Sequence, residues 1–333
     1  MIRINGPSQV VVFESNTNLI ILFGDIHADR EGSCKGCKRD KNCFDIIQFI
    51  NNVRNDSDIF IEAPPESGLE YIKEWKDDYL LDLWKKYNTN MYNHKQLEKG
   101  KRFHYTDIRN LMIHLFNTNV SLQYGIDTLY KFYVTIRTIR LFDNYKKFER
   151  YTDAMVYSND FKKSITKIFG EENLNWILTE NKLKTIQQGT KTREVHAIRK
   201  QILKLSKEDV EILLRYHTDV LEDHRRWFSR IYNRERKIYL LKHQKSNELL
   251  GMVLFNVRAH IMDMYHLARM LYYRKKNEVI ISYTGELHTE QYGKFLKNYY
   301  KMEEKYEYSK RKDDVKTVRC VKFPKEIYKK IIK

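Results

Sequence analysis

The chain has 333 residues, 42% of them hydrophobic and 32% charged, with a formal net charge of +17. Those values exclude a disordered chain and leave room for one large domain or two small ones. No apolar stretch is long enough to span a bilayer and no basic-then-apolar leader opens the sequence, so neither a transmembrane segment nor a secretory signal is expected. Pro (4) and Gly (12) are scarce and Tyr (24) is plentiful, a bias of coding from an AT-rich genome, so part of the positive charge could be codon drift. The rest favours acidic partners, nucleic acid or another polyanion, with a solvated surface as the plain alternative.

In chain order, residues 9–24 read as one or two strands, Val10–Phe13 and Leu19–Phe23, the second ending in Gly24-Asp25-Ile26-His27. Residues 44–54 carry apolar side chains at helical spacing. Asp58–Glu62 is a short strand closed by Ala63-Pro64-Pro65, which cannot continue a ladder. Residues 67–87 look helical and aromatic, and Arg102–Arg109 reads as a strand followed by a helix from about Asn110. From about 125 to 275 helical spacing predominates, with few glycines and no proline. The most apolar helix, 252–273, leads into the strand Glu278–Thr284 and its ending Gly285-Glu286-Leu287-His288. A helix from about Glu290 and a strand at Thr317–Phe323 finish the chain. From Lys294 to Lys333 there are 14 Lys/Arg against 6 Asp/Glu, without a recognisable nucleic-acid motif.

Strand–helix alternation at both ends implies an α/β fold, a mixed central sheet flanked by helices with a large helical insertion. The expected organisation is 1–124 as the N-terminal part of the α/β domain, 125–251 as the insertion, and 252–333 as the C-terminal part with its basic tail.

The two Gly-acid-apolar-His phrases carry the chemistry. Read as strand, each puts its acid and its histidine on one face, Asp25 with His27 and Glu286 with His288. If the strands are neighbours, two imidazoles and two carboxylates converge. Glu62, Asp107 and Arg109 also fall at strand ends, where open α/β sheets place their ligand crevice. The plain alternative is ordinary strand-end polar residues in ion pairs. Neutral imidazole can ligate a divalent metal or take a proton from water, so hydrolysis is the chemistry suggested. Glu62 or Glu286 could complete a His/carboxylate metal set, and Arg109 could stabilise an oxyanion or bind a substrate carboxylate or phosphate. Asp263 lies three residues from both His260 and His266 and could orient a site histidine from behind, or be satisfied within its helix. No Gly-x-Ser-x-Gly, P-loop or Gly-x-Gly-x-x-Gly is present. Cys34, Cys37 and Cys43 form C-x2-C-x5-C in a basic loop. Structural zinc, with Cys320 or a histidine as fourth ligand, free thiols and a disulfide all remain open there.

With these residues assembled, the chain resembles the TIKI/TraB superfamily, with its ChaN-like and erythromycin-esterase-like branches. The pattern there is two Gly-x-x-His motifs, a strand-end glutamate and an arginine, which fall on Gly24–His27, Gly285–His288, Glu62, and Arg109 or Arg30. The phrasing around Leu22–Cys37, Asp58–Glu62, Asp263–Met270 and Tyr283–Tyr292 is also similar to proteins of large AT-rich DNA viruses. The resemblance implies a mixed sheet flanked by helices and hydrolysis of a peptide or ester bond, sometimes with a divalent metal (Mn, Co or Zn); some members bind haem. His27 and His288 are then the expected metal ligands or water activators, with Glu62 completing the metal set; Glu62 and Glu286 are the carboxylate partners, and Asp25, Asp107 and Arg109 support them. The expected location is intracellular: cytoplasm, viral factory or virion. The alternative is a catalytically silent, basic viral structural or nucleic-acid-binding protein that keeps the fold.

Overall fold

The computed structural model describes residues 1–26, 34, 37, 40–63, 79–92, 100–107, 201–202, 204–217, 219–220, 223, 259–260, 262–276, 278–309 and 319–332. The chain divides into one compact unit of Met1–Asn110 with Tyr265–Lys333 and a second of Leu111–Met264. The expected insertion, 125–251, falls within the second unit. The strands named below all belong to the first unit. The helix expected from Asn110, and most of the helical middle, lie outside the described residues, as do His27, Arg30 and Arg109.

The fold is α/β, with mixed sheets flanked by helices. Nine strands are described: β1 (Ile2–Asn5), β2 (Gln9–Glu14), β3 (Leu19–Asp25), β4 (Cys43–Asp45), β5 (Asp58–Ile61), β6 (Arg102–Tyr105), β7 (Val279–Gly285), β8 (Glu303–Ser309) and β9 (Cys320–Phe323). A six-stranded sheet has the order β6-β5-β7-β3-β2-β8, and a three-stranded sheet the order β4-β1-β9. In the larger sheet β6, β5, β7 and β3 are parallel, and β2 and β8 extend it antiparallel. The central strands are buried along their whole length, so they read as apolar runs rather than alternations. β8 is the contrary case: it alternates exposed and half-buried, with Tyr306 and Tyr308 turned to the core and Lys305, Glu307 and Ser309 exposed.

Period-2 alternation sorts the sheet into two faces. Phe23, Ile61, Phe103 and Tyr283 join a core under α1 (Ile46–Asn52) and α2 (Tyr79–Tyr92), where Phe23 meets Phe49 edge-on at 5.3 Å and Tyr87 stacks on Phe103 at 4.1 Å. A capping box, Asp45 with Gln48, starts α1. The opposite face carries Phe60, His104 and Ser282 in one row, since Phe60 pairs with both. The helix over 265–274 covers it: His266 lies 5.3 Å from Phe60 and Tyr273 4.2 Å from His104, ring centre to ring centre. α3 (Glu286–Lys294) follows β7, continuing into a π-helical turn over Phe295–Tyr299, and α4 (Lys325–Ile331) follows β9.

Candidate active site

All four parallel strands run the same way, so their carboxyl ends share one edge. Asp25 ends β3, Gly285 ends β7, Glu62 follows β5 and Asp107 follows β6 by two residues. The two motif strands are neighbours, with Asp25 opposite Gly285. That adjacency is what a shared site requires.

The second motif does not continue as strand. β7 stops at Gly285, and Glu286 is the first residue of α3. Glu286 and His288 are therefore two apart on a helix, where side chains do not face each other, and the expected common face is lost. Glu286 instead brings negative charge to the helix N-terminus. Leu287 is 67% exposed, while His288 is buried. Helix formation begins earlier than the expected Glu290 because Gly285 can be held as N-cap from outside. The Glu62 carboxylate, 2% exposed, accepts the Gly285 N–H through Oε2 at 2.6 Å. Its other oxygen, Oε1, lies 3.6 Å from His288 Nε2.

Gly24 has a packing reason. A Cβ there would lie 3.1 Å from the Glu286 Cα and 3.2 Å from Gln9 Oε1. Glycine in the first motif thus lets the start of α3 settle against β3.

Asp25 departs from expectation. It shares the parity of Phe23 and points to the α1/α2 face, whereas Glu62 shares the parity of Phe60 and lies on the other. Asp25 Oδ2 accepts from Arg319 Nη2 and from the Tyr283 hydroxyl, each at 2.6 Å, and both side chains of the ion pair are wholly buried. Arg319 also donates from Nε to the Gly6 carbonyl at 3.0 Å and lies over the Tyr79 ring at 4.7 Å. This carboxylate is committed to joining the N-terminal strands to the segment before β9. Asp107 is buried, its N–H reaching the Ala63 carbonyl at 3.4 Å. Asp263 is buried in the second unit, where His217 Nδ1 and His260 Nε2 share a hydrogen bond of 2.6 Å.

His266 enters the site although the sequence marked it only as a neighbour of Asp263. It is fully buried, stacks on Tyr292 at 4.2 Å and shares a 3.3 Å hydrogen bond with Ser282 Oγ through Nε2. Burial pushes its pKa down to about 3, the nearby His288 lowering it further and Glu62 opposing. Tyr292 also lies 6.3 Å from the His288 ring, so one tyrosine spans both imidazoles. The legible signal was the spacing 266-269-273, one stripe of a helix, together with 288-292 one turn apart.

Arg269, on the same stripe, donates to His104 Nδ1 at 2.8 Å. Guanidinium has no acceptor, so Nδ1 carries no proton, and Nε2–H must be the donor to Asp58 Oδ1 at 2.8 Å. Arg102 grips Asp58 through both oxygens at 2.7 and 2.6 Å. His104 is locked neutral, its pKa pushed by burial down to about 4.

The cysteines gather at the smaller sheet. Cys34 is bonded to Cys320 and Cys37 to Cys43. Sulfurs of Cys34, Cys37 and Cys43 lie within 4.8 Å of one another, the one such group of three metal-ligating side chains among the described residues. A metal could be held there. At the strand ends Glu62 and His288 lie 3.6 Å apart, and His27, expected beside them, lies outside the described residues.

No protein-family model, curated protein or solved structure matches the chain. Among the described residues no helix is long and apolar enough to cross a membrane.

Proposed function

We propose that the chain hydrolyses a peptide or ester bond at the carboxyl edge of its parallel strands, as its resemblance to the TIKI/TraB-like proteins implies. The observation that carries this reading is the pairing of the two motif strands, with buried Glu62 3.6 Å from His288 at their ends. His288 would take the proton of the attacking water, and Glu62, anchored by the Gly285 N–H, would orient the imidazole and balance its charge. Neutral His266 behind Tyr292 adds no competing positive charge. In the metal-dependent form of this reading His27, His288 and Glu62 would instead hold a divalent ion (Mn, Co or Zn), which would supply a polarised water in place of proton transfer to His288. In their reduced form the cysteines would hold a structural zinc. Arg109 would meet the developing oxyanion. Under this reading the protein acts inside the cell, in the cytoplasm or a viral factory, or is carried in a virion.

The test is a screen of peptide and ester substrates with metal-supplemented protein. His288→Ala and Glu62→Gln should each lower kcat at least about a hundredfold, the scale of general acid–base catalysis, with the fold unchanged. Full activity in His288→Ala would end this reading.

A second reading, a silent basic binding protein, is favoured by a cleft at the opposite end of the strands. Arg54, Arg274, Lys275, Lys276 and Lys330 line it against Glu14 and Glu278. It predicts steeply salt-dependent binding of DNA or RNA that survives loss of His288.

A further inference from the structure

We propose that all four cysteines form one zinc site in the reduced protein, with Cys320 as its fourth ligand, and that oxidation converts the same sulfurs into two disulfides and expels the metal. This rests on the assignment of zinc to the cysteines and extends it to a complete ligand set and an exchange between two states.

Three observations converge. First, the strands bring distant cysteines together: β1 lies between β4 and β9, pairing Arg3 with Cys43 and Asn5 with Cys320, while Cys34 N–H donates to Asn5 Oδ1 at 2.8 Å. Second, the sulfurs are already near ligand spacing. Tetrahedral Zn–S bonds of about 2.3 Å place sulfurs roughly 3.8 Å apart. Sulfurs of Cys34, Cys37 and Cys43 lie within 4.8 Å, and Cys320 is bonded to one of them. Third, the charge suits. A zinc tetrathiolate carries two negative charges, and the loop spells Cys-Lys-Gly-Cys-Lys-Arg-Asp-Lys-Asn-Cys over 34–43, four cations against one acid. Such surroundings favour thiolate over thiol. Cys34, Cys43 and Cys320 are buried and Cys37 is partly exposed, so an oxidant can enter at Cys37 while the rest are shielded.

Exchange by a peroxide balances. Four thiolates yield four electrons to two hydrogen peroxide molecules; with four protons taken up these leave as four waters, two S–S bonds form and zinc departs as the dication. A thiol reductant, itself oxidised to its disulfide, reverses the sulfur chemistry. Because Cys320 adjoins Arg319, which holds Asp25 of the first motif, the cluster sits next to the structural support of that strand end.

The experiment titrates Zn²⁺ into reduced full-length protein against a chromogenic chelator, then adds hydrogen peroxide and maps peptides without reduction. Expected are one zinc per chain that is retained in His288→Ala, its release on oxidation with loss of four titratable thiols, and the pairs Cys34–Cys320 and Cys37–Cys43. Cys320→Ser should weaken zinc at least about tenfold. Cys37→Ser, at the partly exposed position, gives the same readout should Cys320→Ser fail to fold. No zinc in the reduced protein, or unchanged affinity in the folded serine variants, overturns the proposal. Zinc lost in His288→Ala but kept in the cysteine variants also overturns it while leaving the hydrolytic reading intact; zinc kept in an inactive His288→Ala and lost in Cys320→Ser supports it.

Discussion

Removing Arg319 should be among the most damaging single changes in the first unit. Its guanidinium and the Asp25 carboxylate are both wholly buried, 2.6 Å apart. Arg319→Met strips a desolvated carboxylate of this cation and the Gly6 carbonyl of its Nε donor. Breaking a buried pair by removing one partner costs about 3–5 kcal/mol, while replacing both with neutral groups is far milder. The double variant Asp25→Asn/Arg319→Met should therefore be more stable than Arg319→Met alone, with a coupling of about 2 kcal/mol. Tyr283→Phe, which removes a hydroxyl donor to the same carboxylate at 2.6 Å, should cost about 1.5–3 kcal/mol. Urea unfolding followed by circular dichroism and by the fluorescence of buried Trp84 measures all of these. A loss under about 1 kcal/mol in Arg319→Met, or a double variant as weak as the sum of the singles, would refute the claim that this pair is a desolvated structural contact.

Three further outcomes are expected. Gly24→Ala pushes a methyl to 3.1 Å from the Glu286 backbone and should cost about 1–3 kcal/mol by overpacking; an unchanged melting temperature would remove the packing account of that glycine. His104 and His266 stay neutral in the fold, with pKa values near 4 and 3, but take protons near 6.5 when unfolded. The unfolded chain thus binds more protons below pH 6.5, and stability should fall as pH falls through 6.5 toward the lower folded values, each histidine adding to the slope. His266→Phe should remove one histidine's share of the slope between pH 6.5 and 5; an unaltered slope would count against burial as the cause. Arg269→Met leaves His104 Nδ1 without its donor, and hydrogen exchange along β6 should quicken; protection equal to wild type would show the network to be dispensable.

What was legible in the sequence is what neighbouring residues decide. The apolar runs of β2, β3, β5 and β7 marked buried strands, because central strands covered on both faces need apolar residues throughout. The repeated Gly-acid-apolar-His phrase marked both strand ends, and their adjacency was a requirement of the chemistry that the pairing of β3 with β7 meets. The edge strand β8 and the short β1 and β4 were not read, since polar or brief segments become strands by pairing with partners far away in the chain.

Tertiary structure alone decided how the polar residues divide. One position of parity sends Asp25 to a buried arginine and Glu62 to the opposite face, and a helix starting at Glu286 rather than a strand turns that carboxylate from His288. His266 became part of the site because its helix lies on the Phe60 face, and Cys320 reached Cys34 across 286 residues because β9 pairs with β1. Residue type and local spacing specify which groups can do chemistry; which of them meet depends on strand order and register, set by burial summed over the whole sheet.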